Sequence, residues 1–135
     1  MNGDQTITGF NGSFPLIMVD QISIAQSNTL TIPASTIIKS ETNGFLSVGG
    51  TINVSGESNN AVVFTSYKDD TYGGDTYNDG STFPAAGDWK GILVTNSGNY
   101  STLGGVGTFN YAIIRYGGNS STGFDAINPT TINRN

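Results

Sequence analysis

Apolar residues along this chain come in pairs separated by a single position: Ile22/Ile24, Leu30/Ile32, Leu46/Val48, Ile52/Val54, Val62/Phe64 and Ile92/Val94. A spacing of two is the mark of a strand that turns one face to a core. No stretch carries a sustained 3.6-residue period with caps at its ends, so the pattern predicts no helix. Turn-forming runs separate the pairs, among them "AQSN", "PAS", "SETNG", "GG" and "GESNN".

The pairs also recur at a near-constant interval. Leu30 stands 22 residues before Ile52, Ile32 stands 22 before Val54, Ile24 stands 22 before Leu46, and Ile37 stands 25 before Val62. Leu46 precedes Ile92 by 46, one further interval if a segment of roughly 20 residues is inserted between them. A first set of three short strands then covers Ile22–Ile24, Leu30–Ile32 and the surroundings of Ile37. A second covers Leu46–Val48, Ile52–Val54 and Val62–Phe64, and a third runs from Ile92–Val94 to near Ile113. Short strands stacked at this interval, with aliphatic side chains in step, predict an all-β fold: a right-handed parallel β-helix, three-sided, with about three full coils and an acidic loop insertion. A β-sandwich also uses many short strands, but it favours hairpins and does not require the repeat. The expected organisation is a single domain over residues 1–135. Residues 1–21 form a partial first coil or an N-terminal cap, residues 68–90 the inserted loop and residues 119–135 a partial last coil.

Composition agrees with strands and turns. Gly, Ser, Thr and Asn supply 65 of the 135 residues, and 36% of residues are hydrophobic; Ser, Thr and Asn compete with a helical backbone for hydrogen bonds, and Gly is entropically costly there. The chain has no Cys and no His. Cys-His and Ser-His-Asp catalysis are therefore excluded, as are the usual zinc sites. A net charge of −5 with only five Lys and Arg argues against a nucleic-acid surface. No apolar run reaches the length of a membrane helix. The glycine pairs at 49–50, 104–105 and 117–118 lack the strand-to-helix setting of nucleotide loops and read as corners between strands.

Several segments occur in one order: "NTLTIPASTIIKS", "LSVGGTINVSGESNNAVVFTSYKDD", "GGDTYNDG", "PAAGDWKGILV" and "IIRYGG". Together they resemble a segment of large secreted bacterial surface proteins built from right-handed parallel β-helix repeats. The resemblance spans about Asn28 to Gly118 and is most specific from "FTS" through the acidic loop to "GDWKGI". The chain departs from the family at Ser35, where Gly is usual, and at Ser40, where an aromatic is usual. The resemblance implies the fold and an extracellular or cell-surface setting. It implies no enzymatic activity.

The loop holds the candidate chemistry. Asp69, Asp70, Asp75, Asp79 and Asp88 are five of the ten acidic residues, with only Lys68 and Lys90 beside them in sequence. Carboxylates so concentrated repel one another, and calcium would neutralise them, because it accepts six to eight oxygen ligands in a tolerant geometry. Gly73, Gly74 and Gly80 free the backbone to turn carbonyls inward. Asp75, Asp79 and Gly80 echo an alternating-carboxylate calcium loop, with Tyr77 where a ligand is expected and Asn78 as a substitute. The expected ligands are therefore Asp69, Asp70, Asp75, Asn78, Asp79 and Asp88. The alternative is a solvated acidic loop that keeps the protein soluble. The loop is also aromatic. Its rings read first as a small core, with Trp89 packing the loop onto the coil; the alternative is a sugar-stacking surface formed by Tyr72, Tyr77 and Trp89. Arg115 reads as the partner of a loop aspartate, or else as a catalytic arginine.

The resulting expectation is a non-catalytic structural or adhesive module of a surface protein, stabilised by calcium. A polysaccharide-binding module and a polysaccharide lyase or hydrolase fragment are the alternatives. A hydrolase needs paired carboxylates facing one groove, and the acids here read as confined to the loop or isolated. The apolar run "FPLIMVD" and the strand-like surroundings of Ile127 and Ile132 suggest ends that continue into a longer chain or stack on another copy, building a homo-oligomer or filament.

Overall fold

The computed structural model describes residues 3–8, 14–94 and 104–119. They form eleven strands: β1 (Gln5–Thr6), β2 (Leu16–Met18), β3 (Gln21–Ile24), β4 (Thr29–Pro33), β5 (Ile37–Ser40), β6 (Phe45–Val48), β7 (Thr51–Ser55), β8 (Val62–Ser66), β9 (Gly91–Val94), β10 (Val106–Asn110) and β11 (Ala112–Ile114). Every pairing between them is parallel. The first sheet has the order β1-β4-β7-β10, the second β2-β5-β8-β11 and the third β3-β6-β9. The chain thus visits the sheets in strict rotation, and each strand pairs with the strand three places earlier. Among the described residues there is no helix, and so none long and apolar enough to cross a membrane.

The alternation of apolar and polar positions sets the core. Ile22, Leu46 and Ile92 stand in one row of the third sheet, with Ile24, Val48 and Val94 beside them. In the first sheet Leu30 stacks on Ile52, and Ile32 on Val54 and Phe109. In the second, Leu16, Ile38, Phe64 and Ile114 align. Most of these side chains belong to one buried cluster that also holds Trp89. Stacking like on like places each aliphatic group against one of similar shape in the next layer, which favours close packing.

The observed register corrects the sequence reading in two places. Ile24 pairs with Val48 rather than Leu46, and Ile37 with Val63 rather than Val62. The strand β10 has no apolar pair of its own, because its inward positions are Gly107 and Phe109. A Cβ on Gly107 would lie 2.7 Å from the Phe109 ring, so the aromatic occupies the space of both side chains.

Corners are made by close backbone approach. A Cβ on Gly50 would stand 2.3 Å from the carbonyl oxygens of Ala25 and Asn28, and one on Gly105 would stand 2.1 Å from that of Val48. Gly50 in turn accepts a hydrogen bond from the Val106 N–H (2.8 Å), so successive corners are bonded one upon the next. Of the partial coil expected at residues 119–135, all but Asn119 lies outside the described residues, while residues 1–21 contribute β1 and β2.

Candidate functional site

Residues 67–90 leave the sheet system after β8 and rejoin it at β9, and the register on either side is undisturbed: Leu46 still faces Ile92. The segment folds back over the outward face of the second sheet. That face carries Ile17, Lys39 and Thr65 in one row. Lys39 and Thr65 are both fully buried, and every residue of β8 is buried on whichever face it lies. A strand turned to water on one side would alternate, so the covering segment accounts for the pattern.

Positive charge meets the acidic segment from below. Lys39 is 0% exposed, and its Nζ donates to the carbonyl oxygen of Gly74. Burial lowers its pKa, while the charges of Asp70, Asp69 and Asp75 act in the opposite direction. Gly73, Gly74 and Gly80 all adopt positive φ, a conformation that glycine enters without strain. At Gly74 this turns a carbonyl inward as expected, but toward an ammonium group.

Each aspartate has its own partners. Asp69 is 1% exposed and accepts from the Thr65 hydroxyl (2.6 Å), the Thr71 hydroxyl and the Thr71 N–H (3.2 Å). The Arg115 guanidinium lies 3.6 Å from it, the ion pair that the sequence suggested. Burial pushes the Asp69 pKa up, but these hydroxyls, the N–H and the arginine together hold it below the ordinary carboxylate value. Asp88 accepts from the Ser66 hydroxyl (2.8 Å), the Ala85 N–H (2.9 Å) and Lys68 (3.2 Å). It too is held below its ordinary value, against the upward push of burial. Asp75 closes a turn by accepting the N–H groups of Asp79 (3.2 Å) and Gly80 (2.9 Å). Asp70 receives the Thr82 N–H (3.2 Å) on one oxygen, and its other oxygen is buried without a hydrogen-bond partner. Asn78 sits in the left-handed region at the apex of the turn, where it and Asp79 are exposed.

The six residues expected to ligate calcium are thus distributed over separate turns and ion pairs. Among the described residues no group of three or more His, Cys, Asp or Glu side chains comes together as a metal cage. Asp69, Asp75 and Asp88 already accept N–H, hydroxyl or cationic donors.

The aromatic residues separate in the same way. Trp89 is 0% exposed, and its Nε1 donates to the Arg115 carbonyl (2.8 Å). It packs in the core and offers no face to a ligand. Trp89 also bridges in parallel to Gly117, which sets "GDWKG" directly against "YGG" in the next layer. Tyr72 lies 5.8 Å from the Arg115 guanidinium and borders a shallow depression with Ile37, Val63 and Ile113. Tyr77 lies elsewhere. Its hydroxyl donates to Glu41, and its ring meets that of Tyr67 edge to face at 5.6 Å. The bond to Glu41 raises the Tyr77 pKa to about 12.

Comparison with family models, curated proteins and solved structures gave no match. The chemistry of the site therefore follows from its own residues. Lys39, Thr65, Ser66 and Glu41 take part without having been singled out in the sequence. Three of them lie in "IIKS" and "VVFTS", which the resemblance contains but which carry no motif for chemistry. Their only local signal is a lysine and a threonine at outward strand positions facing an unusually acidic segment. Glu41 reads in sequence as an isolated acid; the fold brings it beside Tyr77 and Asp79.

Proposed function

We propose that this chain is a non-catalytic structural module of an extracellular surface protein, built as a right-handed parallel β-helix. The observation that supports it is the rotation of successive strands through three parallel sheets in a matched register. Such a stack is a spacer, rigid along its length, whose corners can carry loops without disturbing the layers. The acidic segment is the most elaborate of these loops and stiffens one side of the module. Asp69, Asp75 and Asp88 serve turns and ion pairs, and no carboxylate is aligned with a histidine or cysteine, since the chain has neither. Incubation with neutral and acidic polysaccharides, followed by assay of new reducing ends and of unsaturated uronates, tests this reading. No release is expected; cleavage would establish an enzyme instead.

Calcium stabilisation belongs to the same proposal and has its own test. A melting temperature that falls in chelator and recovers with calcium supports an ion in the loop. An unchanged melting curve assigns the neutralisation to Lys39, Lys68 and Arg115 alone. End-to-end association is the remaining part of the proposal. It draws support from an apolar cavity of about 150 Å³ lined by Ile7, Leu16, Met18 and Ile22 beside the first strands. Light scattering over a concentration series separates a monomer from a growing stack.

A further inference from the structure

The corner between β5 and β6 holds a cavity that the structural role does not use. It has a volume of about 530 Å³ and is lined by Glu41, Thr42, Asn43, Tyr67, Tyr77 and Asp79. Glu41 to Asn43 come from the corner itself, Tyr67 from just after β8, and Tyr77 and Asp79 from the acidic segment as it folds back. The size lies within the range of small-molecule sites, about 300–1,000 Å³.

Its lining combines two kinds of surface. Tyr77 is 47% exposed. The ring is nevertheless held in place: its hydroxyl is bonded to Glu41, and its edge-to-face contact with Tyr67 fixes a second ring beside it. Around this apolar platform stand two carboxylates, a carboxamide and a hydroxyl, which together can accept and donate several hydrogen bonds. A pyranose ring has the matching form, with an apolar C–H face and a rim of hydroxyl groups. Tyrosine suits such a ligand because it couples a flat apolar body to a polar tip, and carboxylates accept hydroxyl protons in the stronger, charge-assisted type of hydrogen bond.

The charge of the lining narrows the class. Glu41 and Asp79 are both acidic, and the cavity is lined by no Lys or Arg among the described residues. A uronic acid or sulfated sugar would meet like charge there. We infer that the Glu41–Tyr77–Asp79 cavity is a binding site for uncharged glycan chains, with the Tyr77 ring as the stacking platform. This goes beyond the structural role proposed above and stands apart from it, since a spacer can be correct whether or not one corner binds sugar. It also replaces the broader aromatic surface expected from the sequence, because Trp89 is buried and Tyr72 borders a different depression.

The test is titration of the intact chain, in chelator, with cellopentaose, mannopentaose, xylopentaose and chitopentaose, with a pentagalacturonate as the acidic comparison. Binding is read by amide chemical shifts and calorimetry. The expected result is saturable binding of at least one neutral oligosaccharide, shifts centred on Thr42, Asn43 and Asp79, and weaker or no binding of the galacturonate. Tyr77→Ala weakens binding by about tenfold or more. Tyr77→Phe keeps the ring but frees it from Glu41, and falls between wild type and Tyr77→Ala. An unchanged melting temperature and unchanged shifts elsewhere show that each variant is folded. Three results overturn the site: no binding by any neutral probe, affinity indifferent to Tyr77→Ala, or preference for the galacturonate. Reducing-end release during the same titrations would instead overturn the non-catalytic reading and leave the location of the pocket intact, so the two failures are distinguishable.

Discussion

The first and second sheets are built from similar strands, yet they face different surroundings. In the first, burial alternates along β4, β7 and β10, with Leu30, Ile32, Ile52, Val54 and Phe109 inside and Thr31 and Asn53 on the outer side. In the second, β8 is buried throughout and β5 nearly so, because residues 67–90 cover the outer face. The same outward strand position therefore holds an ordinary polar side chain in one sheet and a buried lysine in the other. The difference teaches that a polar residue's energetic weight is set by what lies over it. A threonine under solvent exchanges one hydrogen bond for another at little net gain, whereas Thr65 under the acidic segment is one of the few donors available to a buried carboxylate.

The sharpest way to break this contrast is to remove Asp69. Asp69→Ala leaves Thr65, Thr71 and Arg115 without their shared acceptor and is expected to cost about 3 kcal/mol. Asn53→Ala, on the outer side of the first sheet, is expected to fall within about 0.5 kcal/mol of wild type. Chemical denaturation of the pair measures both. Equal effects would mean that the covering segment adds nothing to the sheet beneath it.

Lys39→Met tests the same contrast from below. It keeps the length of the side chain but leaves the Gly74 carbonyl without its donor, for an expected loss of about 2 kcal/mol. Hydrogen exchange should quicken in residues 69–76 while β4 and β7 remain protected. A stability gain would show that burying the ammonium costs more than its bonds return.

Acid should separate the two sheets more gently. Asp69 and Asp88 have folded pKa values below the ordinary 3.8. The unfolded chain therefore takes up protons first as the pH falls. The stability these groups contribute is complete well above pH 3.8 and is lost as pH descends through their folded values. Exchange protection in β8 should decline in that range ahead of protection in β7. Lys39 acts at the other extreme. Its folded pKa is below 10.5, so this group's contribution grows as pH rises from that folded value toward 10.5.

The smallest expected effect is spectroscopic. Tyr77 ionises at about 12 rather than 10.0 because its hydroxyl donates to Glu41. Ultraviolet titration should resolve one late phenol that moves back toward the others in Glu41→Gln, with little change in stability. A profile unaffected by that substitution would mean that the Tyr77 ring is not anchored at the corner.

Much of the fold was legible because strand alternation marks faces directly. Leu30 and Ile32 over Ile52 and Val54, and Leu46 over Ile92, can be read from spacing alone, and the structure pairs them so. Register was less secure. Moving Ile24 from Leu46 to Val48 preserves the face, so alternation cannot distinguish the two; the length of the connecting corner decides. The single-residue difference at Ile37 would turn the strand over, and it is settled by Ile38 lying against Phe64 in the core. The strand β10 escaped notice because a glycine serves as one of its inward residues.

The candidate site was legible as a place but not as an arrangement. The density of aspartates identified residues 68–90 as the unusual segment, and the pairing of Arg115 with one of them could be inferred. Lys39 could not be found in this way. It lies 30 residues before Asp69, and a lysine at an outward strand position normally reaches water. Only the return of the segment over the second sheet converts it into a buried counter-charge. Glu41 was missed for the same reason, since its nearness to Tyr77 and Asp79 depends on that return.

The strict rotation of strands also has a consequence for how the chain folds. No described strand pairs with its immediate successor; the nearest partners, such as Leu16 with Ile38 and Leu30 with Ile52, are a full circuit of 22 residues apart. Strands β9 and β10 must wait longer, because Leu46 and Ile92 are 46 residues apart and Ile52 and Gly107 are 55 apart. Among the described residues no two strands form a hairpin and there is no helix to serve as a quick local nucleus, so loop closure must precede the first strand pairing. Assembly should begin where the circuits are shortest, among β2 to β8, with β9 to β11 and the segment above them added afterwards. The same topology makes the folded chain slow to open, since a strand cannot peel away with its neighbour in sequence.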